Sequence, residues 1–330
     1  MTTAKALTKE EAGTPDELLG LLRQMMLIRR FEEKAAEMYA RGHIAGFLHL
    51  YLGQEAVGVG AIAAAGPDDY IVTHYRDHGQ GLARGMDPRA VMAELFGKVT
   101  GVSKGRGGSM HLFDTSKHFM GGYAIVGGHL PLSCGLGLAN RHLQNNNIVL
   151  CFFGDGAVNE GEFHESLNLA AIWTLPVVFL CENNFYGMGT DIRRVSAETN
   201  VYRRACAYNI EAEQVDGMDV LAVREALRRA VQHAREGKGP YFVETLTYRF
   251  RGHSMADPEF YRTKEEVQEW RGRDPIQRFE RQLRDWGMAD DAMIKRLEDE
   301  VENVVNDAVR FAEESPAPDV STLFDDVYKE

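Results

Sequence analysis

Two short runs of consecutive apolar residues occur near the middle of the chain. Residues 148–153 read IVLCFF, and residues 177–181 read VVFLC. Continuous apolar runs of this length are typical of strands that are buried on both faces of a parallel sheet. Between the runs, roughly from Val158 to Trp173, apolar residues recur at spacings of three and four, which predicts an amphipathic helix. The pattern therefore predicts a βαβ unit with parallel strands and a right-handed crossover.

Similar patterns predict further elements on both sides of this unit. Thr14, followed by Pro15 and two acidic residues, predicts the start of a long helix that ends near Ala40. Residues 1–13 are short and polar, which predicts a flexible N-terminus. Further strands are expected near 70–73, before 217 and over 241–248, and further helices over 56–65, 132–141, 220–235 and 290–314. We expect an α/β fold, a parallel sheet flanked by helices, in one domain over residues 14–330 with helical extensions at both ends.

Polar residues and glycines directly follow each of the two central strands. Gly154-Asp155-Gly156 comes after the first strand, and Asn183-Asn184 comes after the second. Neighbouring parallel strands lie about 4.8 Å apart and end at the same edge. We therefore expect Asp155 and Asn184 to lie side by side at the carboxyl edge of the sheet, where open α/β sheets bind ligands.

The chemistry of these residues indicates a magnesium-diphosphate site. A carboxylate and an amide oxygen suit Mg²⁺ or Ca²⁺ rather than a soft metal, and phosphate oxygens of a ligand would complete the coordination. The glycines on both sides of Asp155 allow the backbone to approach phosphates closely. The helix expected after Gly156 would direct its N-terminus at them.

Two other segments carry candidate binding residues. The strand near 70–73 ends in HYRDH, and Arg76 within it has the forked geometry that suits a diphosphate, although a surface ion pair is the alternative for a single arginine. Residues 97–109 are rich in Gly, Lys and Arg, but they lack the GxxxxGK[ST] spacing of a P-loop. That segment is either a mobile loop or one that becomes ordered around a ligand or partner.

Charge and cysteine content narrow the class of protein. Lys and Arg total 37 against 49 Asp and Glu, and the formal charge of -12 argues against non-specific binding of nucleic acid. The four cysteines lie far apart without a CxxC pair, as expected for reduced thiols in a cytoplasmic protein. Without a signal-like segment or an apolar run of about 18 residues, we expect no membrane partner.

A series of motifs carries a resemblance to a known family. In chain order the motifs are FLHL…GQEA, THYRDHG, KGRGGSMH, IVGGHLP, FGDGAVNEGEFHESLNLA, CENNFYGMGT, VDGMD, GPYFVE and RGHSMADP. From about residue 20 to 285 the chain resembles the alpha subunits of the thiamine-diphosphate component of 2-oxo acid dehydrogenase complexes. Within that group it is most similar to the pyruvate dehydrogenase alpha subunits, and acetoin and branched-chain 2-oxo acid dehydrogenases are the alternatives.

The resemblance implies two cofactors, thiamine diphosphate and Mg²⁺, and a role for each matching residue. The metal ligands it implies are Asp155, the side chain of Asn184 and the backbone carbonyl of Tyr186. The cofactor-binding residues it implies are Tyr75, Arg76, Val126, Gly154, Asp155, Gly156, Ala157, Asn184, Tyr186 and His253. Phe47 and His49 match residues that face the substrate, and His49 and His253 match residues that handle protons in catalysis.

The resemblance also implies partners. The chain contains the diphosphate-binding half of a thiamine enzyme, and no segment of it resembles the half that contacts the aminopyrimidine. A separate beta subunit would supply that half in an α₂β₂ assembly. The implied reaction is the decarboxylation of a small 2-oxo acid, with transfer of the acetyl group to a lipoyl-bearing dihydrolipoyl acyltransferase core. A diphosphate-binding protein without turnover is a second possibility; a Rossmann NAD enzyme is disfavoured because no GxGxxG opens the first βαβ unit.

Overall fold

The protein is organised around a parallel β-sheet. A computed structural model describes residues 7–325, 327 and 328. Its strands are β1 (Tyr70–His74), β2 (Phe119–Tyr123), β3 (Val149–Gly154), β4 (Val177–Asn183), β5 (Tyr186–Gly187), β6 (Thr190–Asp191), β7 (Glu211–Asp216) and β8 (Tyr241–Leu246). The main sheet has the order β2-β1-β3-β4-β8-β7 with parallel pairing throughout, and β5 pairs with β6 in a small antiparallel ribbon.

Helices lie on both faces of this sheet. They are α1 (Lys9–Ala12), α2 (Pro15–Ala40), α3 (Glu55–Ile62), α4 (His78–Ala83), α5 (Pro88–Leu95), α6 (Leu130–Leu143), α7 (Gly161–Ile172), α8 (Val220–Arg235), α9 (Lys264–Arg271), α10 (Pro275–Asp285) and α11 (Asp291–Glu314). Side chains alternate between the two faces along a strand. Leu150 and Phe152 of β3 therefore join a core with α2, α3 and α8, while Cys151 and Phe153 join a second core with α6 and α7. The predicted α/β fold, with helices on both faces of a parallel sheet, is confirmed.

The central βαβ unit forms as predicted, with one difference in its helix. β3 and β4 pair in parallel from Val149 opposite Val177 to Gly154 opposite Glu182. The predicted helix over 158–173 begins later, because residues 155–159 form a separate 3-10 helix of five residues and Glu160 is extended (φ -77, ψ 150). The helix that follows Gly156 therefore begins at Gly161, three residues later than expected.

The N-terminal region also departs in part from expectation. The long helix α2 is confirmed, and Thr14 caps it by accepting a hydrogen bond from the backbone N–H of Glu17. Of residues 1–13, for which we expected flexibility, residues 9–12 form the short helix α1, capped by Thr8, with Ala12 buried. Residues 1–6 lie outside the described part of the chain.

The Gly/Lys/Arg-rich segment over 97–109 has a defined conformation around one buried carboxylate. Glu94 at the end of α5 accepts backbone hydrogen bonds from Ser103 (2.8 Å), Gly105 (2.9 Å), Gly107 (2.7 Å) and Gly108 (3.1 Å). A carboxylate that accepts four backbone N–H bonds defines the conformation of this segment.

A search of the helices in the described part of the chain finds no candidate membrane span.

Candidate active site

A cavity of about 220 Å³ opens at the carboxyl edge of the sheet. Its walls come from the segments that follow β1, β3 and β4, together with residues after β2 and β8. The lining residues are His74, Tyr75, Arg76, Val126, Gly127, His129, Gly154, Asp155, Gly156, Ala157, Glu160, Asn184, Tyr186, Gly187, Met188 and Arg249. The structure thus brings together nine of the predicted site residues: Tyr75, Arg76, Val126, Gly154, Asp155, Gly156, Ala157, Asn184 and Tyr186.

Asp155 and Asn184 are neighbours, as the βαβ geometry predicts. The backbone N–H of Asn184 donates to Oδ1 of Asp155 at 3.2 Å. The side-chain amide of Asn184 donates to Oε1 of Gln54 at 2.9 Å, and its Oδ1 accepts from the backbone N–H of Tyr186 at 3.3 Å. Gln54 was not among the predicted site residues, yet its bond fixes the orientation of the Asn184 amide.

Asp155 is a buried carboxylate without a cationic partner in contact. It is 3% exposed, and none of the ion pairs in the described residues includes it. Burial raises the pKa of Asp155 to about 6, although Arg249 and the N–H of Asn184 act in the opposite direction. A carboxylate in this state favours a nearby cation, because a cation would stabilise its charged form.

Two buried arginines on the other walls of the cavity likewise lack a carboxylate partner in the described part of the chain. Arg76 donates to the carbonyls of Leu50 and His253, both at 2.8 Å. Arg249 donates to Nδ1 of His253 (3.0 Å) and to the carbonyl of Met188 (2.7 Å), and its buried Nε has no hydrogen-bond partner. Burial, followed by the charge of Arg249, lowers the pKa of Arg76 to about 10. Two buried guanidinium groups without a counter-charge favour an anionic ligand.

Three aromatic side chains form a cluster beside the cavity. The ring centroid of His49 lies 4.7 Å from that of Tyr75 and 4.9 Å from that of His253, and the ring centroids of Tyr75 and His253 are 5.6 Å apart. Burial and the charge of Arg76 lower the pKa of His49 to about 2 and that of His253 to about 3. Both rings are therefore neutral, and the Arg249 bond to Nδ1 of His253 places its proton on Nε2.

Phe47 and the two predicted histidines differ in their relation to the cavity. His49 and His253 do not line it, but they contact Tyr75, which does. Phe47 does not line the cavity either, and 64% of its surface is exposed. The structure therefore places Phe47 at the surface rather than in the cavity wall.

Four further polar residues line the cavity without having been predicted: His74, His129, Glu160 and Arg249. His74, His129 and Glu160 lie within recognised motifs, and Arg249 lies between two of them, but none of these side chains could be assigned to the cavity from the motifs alone. For Arg249 a usable signal exists, since it lies two residues before the RGHS segment, in the stretch that follows β8. His129 is held by a bond between its Nε2 and the carbonyl of Phe152 (2.7 Å).

Comparisons with known proteins show the family of the chain. Residues 23–321 match the family model described as "Dehydrogenase E1 component". The chain is 50% identical to the pyruvate dehydrogenase E1 component subunit alpha of Rhizobium meliloti, over 99% of this chain and 96% of that protein. It is 46% identical to the Zymomonas mobilis protein of the same name (94% and 88% covered), and 41% identical to the chloroplastic alpha-3 subunit of Oryza sativa (99% and 79% covered). The chain belongs to the dehydrogenase E1 component family.

Proposed function

We propose that this chain is the alpha subunit of a pyruvate dehydrogenase and that its cavity binds the diphosphate of thiamine diphosphate through Mg²⁺. The observation that carries the proposal is the distribution of buried charge. Arg76 and Arg249 lack a carboxylate partner among the described residues, and they line the same cavity as Asp155, which lacks a cationic partner in contact. A diphosphate with a divalent cation neutralises all three groups at once.

The residues present fit this cofactor. Asp155, Oδ1 of Asn184 and the carbonyl of Tyr186 are hard oxygen donors that would hold Mg²⁺ with few protein ligands. The described residues contain no cluster of three or more His, Cys, Asp or Glu side chains suited to a metal, so phosphate oxygens would have to complete the coordination. A Cβ at Gly156 would lie 3.2 Å from the Cα of Gly187. A side chain at Gly156 would therefore narrow the cavity where backbone N–H groups would approach the phosphates.

Thiamine diphosphate, when bound, supplies a carbanion nucleophile and an electron sink for decarboxylation. The chain's own contribution is to bind, orient and transfer protons. Tyr75, Arg76 and His253 would bind the diphosphate, and Val126, which is 40% exposed, would contact the rings. The neutral His49 would accept a proton near the substrate, and the Nε2–H of His253 would donate one.

The same proposal includes partners. Val126, which lines the cavity, is 40% exposed, and Ile125 directly before it is 75% exposed. Exposed apolar residues beside a binding site are typical of an interface. We infer that a beta subunit covers this rim in an α₂β₂ assembly and completes the site. A lipoyl-bearing dihydrolipoyl acyltransferase core would receive the acetyl group, in the cytoplasm.

Pyruvate is the substrate supported best, because each of the three relatives reported above is named a pyruvate dehydrogenase subunit. Phe47 and His49 are retained as proposed substrate residues, although Phe47 lies outside the cavity in the chain alone. Acetoin and branched-chain 2-oxo acids remain the alternatives to test.

The experiment is co-expression with the beta chain, followed by dye-reduction assays with pyruvate, acetoin and branched-chain 2-oxo acids. We expect turnover of pyruvate by the assembly and none by the alpha chain alone. A preference for acetoin or a branched-chain acid would overturn the substrate assignment. Turnover by the alpha chain unaided would overturn the proposed two-chain site.

A further inference from the structure

A buried hydrogen bond connects two strand ends that are not adjacent in the sheet. Nε2 of His74, at the end of β1, lies 2.6 Å from Oε2 of Glu182 on β4. In the sheet order β3 lies between β1 and β4, so the contact spans a whole strand. Both residues are buried, His74 at 9% and Glu182 at 1% exposed.

The carboxylate of Glu182 collects donors from several elements. It accepts from the hydroxyl of Tyr51 and from the amide of Gln80, at 3.3 and 3.4 Å to its two oxygens, as well as from His74. A buried carboxylate with this many donors has a well-defined position. It therefore provides a rigid attachment point for the His74 ring.

The second ring nitrogen of His74 fixes the backbone of the cavity wall. The backbone N–H of Arg76 donates to Nδ1 of His74 at 3.0 Å, so Nδ1 is an acceptor and Nε2 carries the proton. The bond to Glu182 therefore fixes the end of β1 directly before Tyr75 and Arg76, and the bond from the N–H of Arg76 adds a local constraint to the same ring.

The residues at the two ends of this connection carry different halves of the proposed site. Tyr75 and Arg76 follow His74 and would grip the diphosphate, whereas Asn184 follows Glu182 by two residues and would bind Mg²⁺. The diphosphate and the metal must bind together, so the span between the two strand ends has to match their combined size.

We propose that His74 and Glu182 form a cross-strand brace that holds the diphosphate-binding segment at the correct distance from the metal ligands. His74 acts as a positioning residue, without itself being required to touch the cofactor. This inference rests on the function proposed above. It adds two residues that the motif series left without a role.

Two substitutions at His74 separate the two bonds. In His74→Asn, the shorter side chain can still accept from the N–H of Arg76, as in an Asx-turn, but it cannot reach Glu182. In His74→Gln, the longer side chain can still donate to Glu182 but loses the acceptor for Arg76. We expect His74→Asn to weaken the affinity for thiamine diphosphate with Mg²⁺ about tenfold, as is usual when a residue that positions a ligand-binding group is lost. We expect His74→Gln, which keeps the bond to Glu182, to retain most of the wild-type affinity.

A matched control removes a different bond to the same carboxylate. Tyr51→Phe deletes the hydroxyl donor to Glu182 and leaves the connection between the strand ends intact. We expect a lower thermal midpoint in this variant with an unchanged affinity. Equal losses of affinity in Tyr51→Phe and His74→Asn would show that general destabilisation is responsible, and would overturn the brace.

The measurement is calorimetric titration of thiamine diphosphate and Mg²⁺ into the co-expressed alpha–beta assembly, with thermal melts of each variant. Wild-type affinity in His74→Asn would overturn the brace and leave the proposed function intact, whereas failure of the wild type to bind would overturn both. Glu182→Gln, which keeps an acceptor for His74, covers the case in which His74→Asn does not fold. We expect it to bind within about threefold of the wild type, and a loss beyond tenfold at an unchanged melting point would contradict the brace.

Discussion

Two groups of charged residues in the structure are built in opposite ways. In the core between α2, α3 and α10, Arg29 pairs with Glu55 (2.6 Å) and with Asp274 (2.9 Å). Burial opposes the charge of Arg29, but the two carboxylates outweigh it and raise its pKa. In the cavity, Arg76 has backbone carbonyls as its acceptors, and burial lowers its pKa.

The presence or absence of a carboxylate partner distinguishes charges that stabilise the fold from charges that we propose are neutralised by a ligand. A buried arginine with two carboxylates is neutralised within the chain, and removing a partner leaves an uncompensated charge. The cavity arginines already lack such a partner among the described residues. Substitutions in the first group should therefore change stability, and those in the second should change cofactor affinity.

The largest effect is expected from Asp155→Ala. Loss of the carboxylate removes the proposed metal ligand, so the affinity of the assembly for thiamine diphosphate with Mg²⁺ should fall roughly 1,000-fold. The melting point of the cofactor-free protein should stay the same or rise, because Asp155 is buried without a cation. Unchanged affinity, measured by calorimetry, would reject the metal assignment.

The second-largest effect is expected on the stability of the protein and not on its affinity for the cofactor. Glu55→Gln should lower the free energy of unfolding by about 3 kcal/mol, because Arg29 loses half of its counter-charge in a buried site. Cofactor affinity should not change. Glu300→Gln is the control, since its pair with Arg23 is largely exposed and contributes about 0.5 kcal/mol at most. Urea denaturation of the wild type, Glu55→Gln and Glu300→Gln tests this difference in stability. Equal losses of stability in Glu55→Gln and Glu300→Gln would contradict it.

Arg76→Lys sharpens the comparison within the cavity. Lysine keeps the charge but cannot reproduce the fork that binds two carbonyls and, in our proposal, a phosphate. We expect about 2 kcal/mol weaker binding, roughly a 30-fold loss of affinity. A variant that binds as tightly as the wild type would show that charge alone is sufficient at this position.

The smallest effect concerns the pH dependence of stability. The pKa of His49 is about 2 in the folded protein, well below its ordinary value. The ordinary pKa of histidine is about 6.5. Between pH 2 and 6.5 the unfolded chain therefore binds more protons than the folded protein, so the stability falls as the pH drops below about 6.5. From pH 8 to 5.5 the wild type should lose about 1 kcal/mol more than His49→Gln in urea denaturation. Equal losses in both proteins would show that His49 is not held neutral by the fold.

Some parts of this picture could be predicted from the sequence because the signal is local. The apolar runs of β3 and β4 identified a parallel βαβ unit, and strand geometry then placed Asp155 beside Asn184. The helix α8 was predicted with its observed ends, and in the structure Asp219 caps it by accepting from the backbone N–H groups of Leu221 and Ala222.

Other parts depend on contacts that a local pattern does not show. β2, which includes Gly121 and Gly122, was not among the predicted strands, because its glycines give no apolar pattern; a side chain at Gly122 would collide with the carboxylate of Asp77. The bond from His74 to Glu182 joins residues far apart in the sequence. Arg249 likewise reaches the cavity from the end of β8, which lies on the far side of β4 from β3.

Calorimetric titration of thiamine diphosphate into the alpha–beta assembly, with and without Mg²⁺, tests the central claim most directly. The buried charges of the cavity predict stoichiometric binding that requires Mg²⁺ and that Asp155→Ala weakens roughly 1,000-fold. Binding of equal strength without Mg²⁺, or in Asp155→Ala, would contradict the claim that Asp155, Arg76 and Arg249 together hold a magnesium-diphosphate.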